Sequence, residues 1–111
     1  MSLYTRKKDS KNEANRCFTC GAWFPIKDLD AGHYIHRDSL DFNFININPQ
    51  CTKCNRYLHG NSGVYAHQLI KKYGLEEFEK LESLRFREHS YSIKELDNII
   101  EDLKQKLAKL N

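Results

Sequence analysis

The stretch Gln50-Cys51-Thr52-Lys53-Cys54-Asn55-Arg56-Tyr57-Leu58-His59-Gly60 decides how the chain is read. Two residues separate its cysteines, and a second such pair, Cys17-Phe18-Thr19-Cys20, stands upstream. These are the only four cysteines of the 111-residue chain. Two knuckles of this kind match a tetrahedral zinc site with four thiolate ligands. A redox motif needs one such pair and would leave the other unexplained. In a reducing compartment neither pair is expected to be a disulfide. A domain this small buries only a modest share of its surface, so a metal staple adds stability that its core lacks.

Reading outward, Gly21 permits a tight turn after the first knuckle. Trp23 and Phe24 are expected to pack near the zinc, and Pro25 interrupts any regular element. Residues 31–37 read as a short extended segment. Residues 42–47 alternate and are rich in strand formers. The expectation is two antiparallel strands joined around residues 38–41, with Pro49 ending the second. A short helix is expected over about 51–58, stopped by Gly60. This is strand, strand, helix, with zinc holding the base of the helix to the first knuckle.

The remainder reads as helix. Ser62 can cap a helix over 62–73 that Gly74 closes, and another spans roughly 75–88. Ser92 and Glu95 form a capping-box pattern for the last helix. Its apolar positions are Ile93, Leu96, Ile100, Leu103, Leu107 and Leu110, a heptad-like stripe. The stripe suits either packing on its own domain or pairing with a second copy. The organisation is therefore a loose basic arm at 1–14, a zinc-bound core at 15–74 and a helical extension at 75–111. The fold class is α+β.

Lys plus Arg total 18 and Asp plus Glu 15, a net charge of +3. That mild excess does not identify a nucleic-acid binder by itself. No hydrophobic run is long enough to cross a membrane, and the polar start lacks the apolar stretch of a secretory signal. The expected location is cytoplasmic.

Several residues could carry chemistry across a small groove. His33 lies on the first strand. Asn46 lies on the second. Asn55 follows the last cysteine, and His59 falls one turn further along the same expected helix face. A neutral imidazole can take a proton from water. A hard cation such as Mg²⁺ can neutralise a phosphate and stabilise a departing 3′ oxygen. Side-chain oxygen of Asn55 and ring nitrogen of His59 could hold that cation. Asn46 could bond either to the loop or to His33, and Arg37 could clamp a phosphate. His36, His67 and His89 have no partner pattern.

On these residues the chain resembles the NinG/Rap family of phage recombination endonucleases, within the HNH or His-Me finger nuclease superfamily. The resemblance runs through Cys17-x-x-Cys20, Ala31-Gly32-His33-Tyr34 with Arg37, and Asn46-Ile47. It continues through Gln50-Cys51-x-x-Cys54-Asn55-Arg56-Tyr57-Leu58 and Gly60-Asn61, then Tyr65, to Tyr73-Gly74. It covers about half the chain, and the helices after Gly74 are not placed by it. The zinc and metal motif is also similar to that of phage endonuclease VII.

The resemblance implies a zinc-stapled ββα-metal core with C-terminal helices. It implies His33 as general base, Asn46 as the supporting middle Asn, Asn55 as a ligand of a catalytic Mg or Mn, and His59 as a second ligand. Most HNH proteins place Asp or His immediately before the base as a further ligand. Here that place is Gly32, and Asp30, His36 or His59 are left to supply it.

The implied function is an HNH-type endodeoxyribonuclease acting on branched DNA, such as D-loops or Holliday junctions. The implied setting is a phage or prophage protein inside its host cell. A homodimer joined through the last helix would space two active sites on one DNA. The competing readings are a non-catalytic zinc DNA-binding module and a zinc-stapled assembly protein using the last helix.

Overall fold

The computed structural model describes residues 1–110. The chain is α+β, with two small antiparallel sheets and helices around them. Helix α1 (Ser2–Lys7) leads to strands β1 (Ala14–Arg16) and β2 (Trp23–Pro25), which pair with each other. Strands β3 (Leu29–His33) and β4 (Ile47–Cys51) form the second pair. A π-helical turn at Lys53–Tyr57 follows, then helices α2 (Ser62–Tyr73), α3 (Leu75–Ser83) and α4 (Ile93–Leu110).

The expected strand pair exists but is shifted. Residues 42–47 do not form a strand, and the pairing instead runs from Leu29 opposite Cys51 to His33 opposite Ile47. Asparagines explain the shift, because they offer the backbone local partners that compete with a ladder. Asn43 Oδ1 accepts from the amides of Ile45 and Asn46, both at 3.0 Å. Pro49 lies inside β4 opposite Ala31 rather than ending a strand. A two-stranded sheet has only edges, where a missing N–H is tolerated. The Pro49 carbonyl accepts the Phe18 amide at 2.7 Å and so ties β4 to the first knuckle.

Other expectations change in detail. The residues expected as a loose arm include α1, whose Thr5 is buried and which packs against β3, β4 and α4. The segment expected as helix over 51–58 is a single wide turn, in which the Leu58 amide donates to the Lys53 carbonyl at 2.9 Å. Helix α2 starts at Ser62 as expected, but Asn61, not Ser62, stands at its cap position, with no side-chain cap bond. Helix α3 stops at Ser83, five residues short of the expected end. The capping box holds: the Glu95 amide donates to Ser92 Oγ at 3.1 Å and the Ser92 amide to Glu95 Oε1 at 3.3 Å.

Two apolar clusters hold the fold. Ile35, Leu40, Tyr65, Leu69 and Leu81 form the larger, with Phe18, Tyr34 and Phe78 among the side chains packed on it. Cys17, Leu29, Cys51 and Cys54 form the smaller, covered by Phe24. Trp23, expected beside them, is half exposed. Tyr65 joins α2 to the second sheet. Its hydroxyl lies 2.7 Å from the Gly32 carbonyl and accepts from Asn48 Nδ2 at 3.2 Å.

Gly32 is the position where only glycine fits. A Cβ there would fall on the Gln50 side chain, 2.6 Å from its Cδ. Gln50 is fully buried and cannot swing away, since its Nε2 donates to Thr19 Oγ1 at 3.2 Å and to the Gly60 carbonyl at 2.9 Å. Gly32→Ala should therefore cost about 1–3 kcal/mol of stability through overpacking. Urea unfolding would read this as a lower midpoint at constant slope, and an unchanged midpoint would place the Gln50 side chain elsewhere.

Candidate metal centre and cleft

The four cysteine sulfurs lie within 4.8 Å of one another, and Cys20 and Cys51 stand 3.9 Å apart. A tetrahedral ion with metal–sulfur bonds near 2.3 Å requires sulfurs about 3.8 Å apart, so the cluster fits zinc. Local hydrogen bonds already favour thiolate. The Cys20 amide donates to Cys17 Sγ at 3.5 Å, Thr19 Oγ1 lies 3.3 Å from the same sulfur, and Asn61 Nδ2 donates to Cys54 Sγ at 3.8 Å.

Burial works against ionisation at Cys17, Cys20 and Cys51. At Cys17 the Cys20 amide and the Thr19 hydroxyl outweigh it and bring the pKa down to about 6. At Cys51, burial and the neighbouring Cys54 and Cys17 side chains push it up to about 12. Four sulfurs this close cannot all carry charge without a cation among them, which is the chemistry of a thiolate metal site.

The cysteine cluster joins the first knuckle to the end of β4 and to the π-helical turn. That turn carries Asn55 toward β3, where its Nδ2 donates to Asp30 Oδ2 at 3.1 Å. Arg56 reaches the other oxygen of Asp30 at 3.2 Å. His33 stands at the end of β3, its Nε2 3.9 Å from Asp41. Asp30, His33, Asp41, Asn55 and Arg56 all line one open cleft of about 730 Å³, together with Arg6 and Lys27. Burial lowers the His33 pKa below its ordinary value and the His36 charge adds to this, while Asp41 opposes them. The ring is therefore largely neutral near pH 7 and free to accept a proton.

Asn46 is fully buried, and its side chain hydrogen-bonds to the loop rather than to His33. It clasps the backbone of Ile35, accepting from its amide at 2.8 Å and donating to its carbonyl at 2.9 Å. The Tyr34 amide donates to the Asn46 carbonyl at 2.9 Å. Asn46 thus fixes the chain immediately after His33, which was one of its two expected roles.

Besides the buried Asn46, two sequence-predicted residues are not brought to the cleft. His59 is exposed, lies beyond the π-helical turn with φ of +52°, and does not line the cleft. The expected shared helix face does not exist, because the turn ends at Tyr57. Arg37 lines a different groove, with Glu88 and His89. Asp30, one of three candidates for the missing ligand, is the one beside Asn55. Arg6, Lys27 and Asp41 were not anticipated. Arg6 comes from the N-terminal helix, donating from Nη1 to the Ile26 carbonyl at 3.3 Å, and no local pattern signals its arrival.

Asp30 and Asn55 bring side-chain oxygens to the lining of the cleft. A hard cation commonly keeps several waters and takes one or two carboxylates plus substrate phosphate. Asp30 and Asn55 fit that sparse demand. His33 adds a nitrogen at the opposite end of β3.

The family model described as Bacteriophage Lambda NinG protein matches residues 1–111. Protein ninG of Escherichia phage lambda is 36% identical over 97 residues, covering 85% of this chain and 47% of that protein. Protein ninG of Escherichia phage 933W is 34% identical over 97 residues, with the same coverage of 85% and 47%. Protein ninG of Enterobacteria phage H19B is 36% identical over 84 residues, covering 73% of this chain and 41% of that protein. The chain spans about half the length of the curated relatives it matches. No solved structure matches it.

Proposed function

The chain belongs to the NinG family, and on that premise we propose that it is a metal-dependent DNA endonuclease of the HNH type, acting on branched recombination intermediates. The observation that carries this reading is the convergence of His33, Asp30 and Asn55 on one open cleft beside the four-cysteine cluster. In this reading β3, β4 and the π-helical turn serve as a zinc-stapled ββα-metal core.

His33 takes a proton from a water molecule. The water oxygen bonds to phosphorus as the bond to the 3′ oxygen breaks, and the departing oxygen takes a proton from solvent water, leaving a 5′ phosphate and a 3′ hydroxyl. Asp30 and Asn55 would hold a Mg or Mn ion, whose charge would neutralise the scissile phosphate and stabilise the leaving oxygen. Arg6, Lys27 and Arg56 face the same cleft and suit the phosphate backbone. Asn46 keeps the loop after His33 in place, as a positioning residue. His59 and Arg37 have no part in this arrangement.

The test is cleavage of four-way junction, D-loop and linear duplex DNA side by side, with and without Mg²⁺ or Mn²⁺. Metal-dependent strand breaks, strongest on branched DNA, support the reading. Binding with no cleavage under any of these conditions would leave a zinc DNA-binding module.

A homodimer belongs to the same proposal. Ile93 and Ile100 of α4 are 80% and 48% exposed, whereas Leu103 is buried at 7%. Leu103 therefore supports the chain's own fold, where α4 packs on α1, and only the outer part of the stripe is free for a second copy. Sedimentation equilibrium at micromolar concentration should give twice the 13.1 kDa chain mass. Ile100→Glu should return it to one. A single-chain mass at every concentration, with and without DNA, would end the dimer.

A further inference from the structure

A second depression, of about 440 Å³, lies between the end of α1, β1, the first knuckle and α2. It shares no lining residue with the His33 cleft. Met1, Ser2 and Arg6 of the N-terminal segment line the cleft, whereas Lys8 and Asp9 line this groove.

Four cations, Lys8, Arg16, Lys71 and Lys72, surround it against one carboxylate, Asp9. Among the described residues none of these four makes an ion pair. Lys80, Arg85 and Lys106, by contrast, pair with Glu77, Glu82 and Asp102 on or beside their own helices.

Arg16 and Lys72 are held by uncharged partners instead. Arg16 Nε donates to the Gly21 carbonyl at 3.1 Å. The Lys72 ammonium lies 5.7 Å from the centre of the Phe18 ring and 5.2 Å from that of Tyr73. Asn15, buried, donates from Nδ2 to the Lys8 carbonyl at 2.8 Å and fixes the backbone that carries that lysine. These contacts set Arg16, Lys72 and the backbone of Lys8 in place without a carboxylate partner. Gathered like charges repel and give the isolated fold nothing, whereas a polyanion that sheds its counterions there binds favourably.

We propose that this groove holds the phosphodiester backbone of DNA, at phosphates other than the one presented to His33. The inference rests on the nuclease reading for its choice of polyanion. Its contacts are to phosphates and therefore carry no base sequence.

The test uses the full chain carrying His33→Ala in buffer without Mg²⁺ or Mn²⁺, so that the DNA stays intact during the measurement. Its affinity for a fluorescein-labelled four-way junction is measured by anisotropy across a salt series. The same protein with Lys8→Gln and Lys71→Gln added is measured beside it, with zinc content and circular dichroism confirming the fold. Neither lysine belongs to the cysteine cluster or to the His33 cleft.

The double substitution should weaken binding several-fold. It should also make the slope of log K against log salt shallower by about 1.8, at roughly 0.9 for each duplex phosphate that is no longer neutralised. A control pair on α4, Lys104→Gln with Lys109→Gln, should leave the slope alone. An unchanged slope in the groove variant overturns the proposal, and so does an equal change in the control, which would reduce the effect to net charge. The two readings fail separately. His33-dependent cleavage with an unchanged slope removes the groove alone, and the expected slope change without any cleavage removes the nuclease alone.

Discussion

Removing the metal from the four-cysteine cluster is expected to unfold the protein rather than loosen one corner of it. Cys17, Cys51 and Cys54 are themselves core residues, packed with Leu29 and covered by Phe24. The other buried cluster has only five members. Structural zinc contributes about 10–16 kcal/mol of apparent binding energy in small zinc domains near neutral pH. The whole stability of a domain is commonly about 5–15 kcal/mol. A ligand that binds only the folded state with that strength can therefore be the difference between folded and unfolded.

Cys54→Ser, or EDTA added to the wild-type chain, should abolish the cooperative unfolding transition and much of the helical circular dichroism. Acid should act in the same direction. The ligands are thiolates, so protons compete with the metal and zinc is lost as pH falls. Metal analysis of the folded protein should give one zinc per chain. A reduced, zinc-free protein that unfolds at the same midpoint would sink the argument.

The cysteine spacing made the metal cluster legible because two knuckles constrain one another chemically wherever the chain between them runs. The strand register was harder. Phe42, Phe44 and Ile45 carry the residue types of a strand, but Asn43 turns its side chain onto the following amides and breaks the ladder. Such local capture leaves no periodic trace.

His59 was misplaced for a related reason. Its spacing from Asn55 implies one helical turn only if the helix continues, and here a π-helical turn ends at Tyr57 and the chain enters the left-handed region. Asn55 and His33 remain together because both lie close to elements the metal joins. Arg6 and Asp41 reach the cleft from segments whose positions depend on tertiary packing, which sequence pattern does not report. The capping box of α4 was legible because it is a contact three residues long.

His33→Ala should cut DNA about 10²–10⁴-fold more slowly than the wild-type chain, the usual cost of losing a general base. It should keep its fold and its zinc, since His33 stands at the rim of an open cleft and is no member of either buried cluster. The pH profile gives a second readout that a merely structural histidine would not produce. A base must be unprotonated to act, so the rate should rise with pH through the His33 pKa and level off above it. Burial holds that pKa below the ordinary 6.5 or so, with His36 acting in the same sense and Asp41 against it. The wild-type rise should therefore fall on the acid side of 6.5 or so, with the plateau reached by neutral pH. Asp41→Asn removes the one nearby charge that favours protonation and should move the rise to still lower pH. Opening the cleft to water, or replacing His36 by an uncharged residue, should move it upward. The His33→Ala variant should lose this rise altogether while its slow residual cleavage keeps its metal dependence. Near-normal cleavage by that variant across the same pH range would take His33 out of the mechanism, even if the protein proves to be a nuclease.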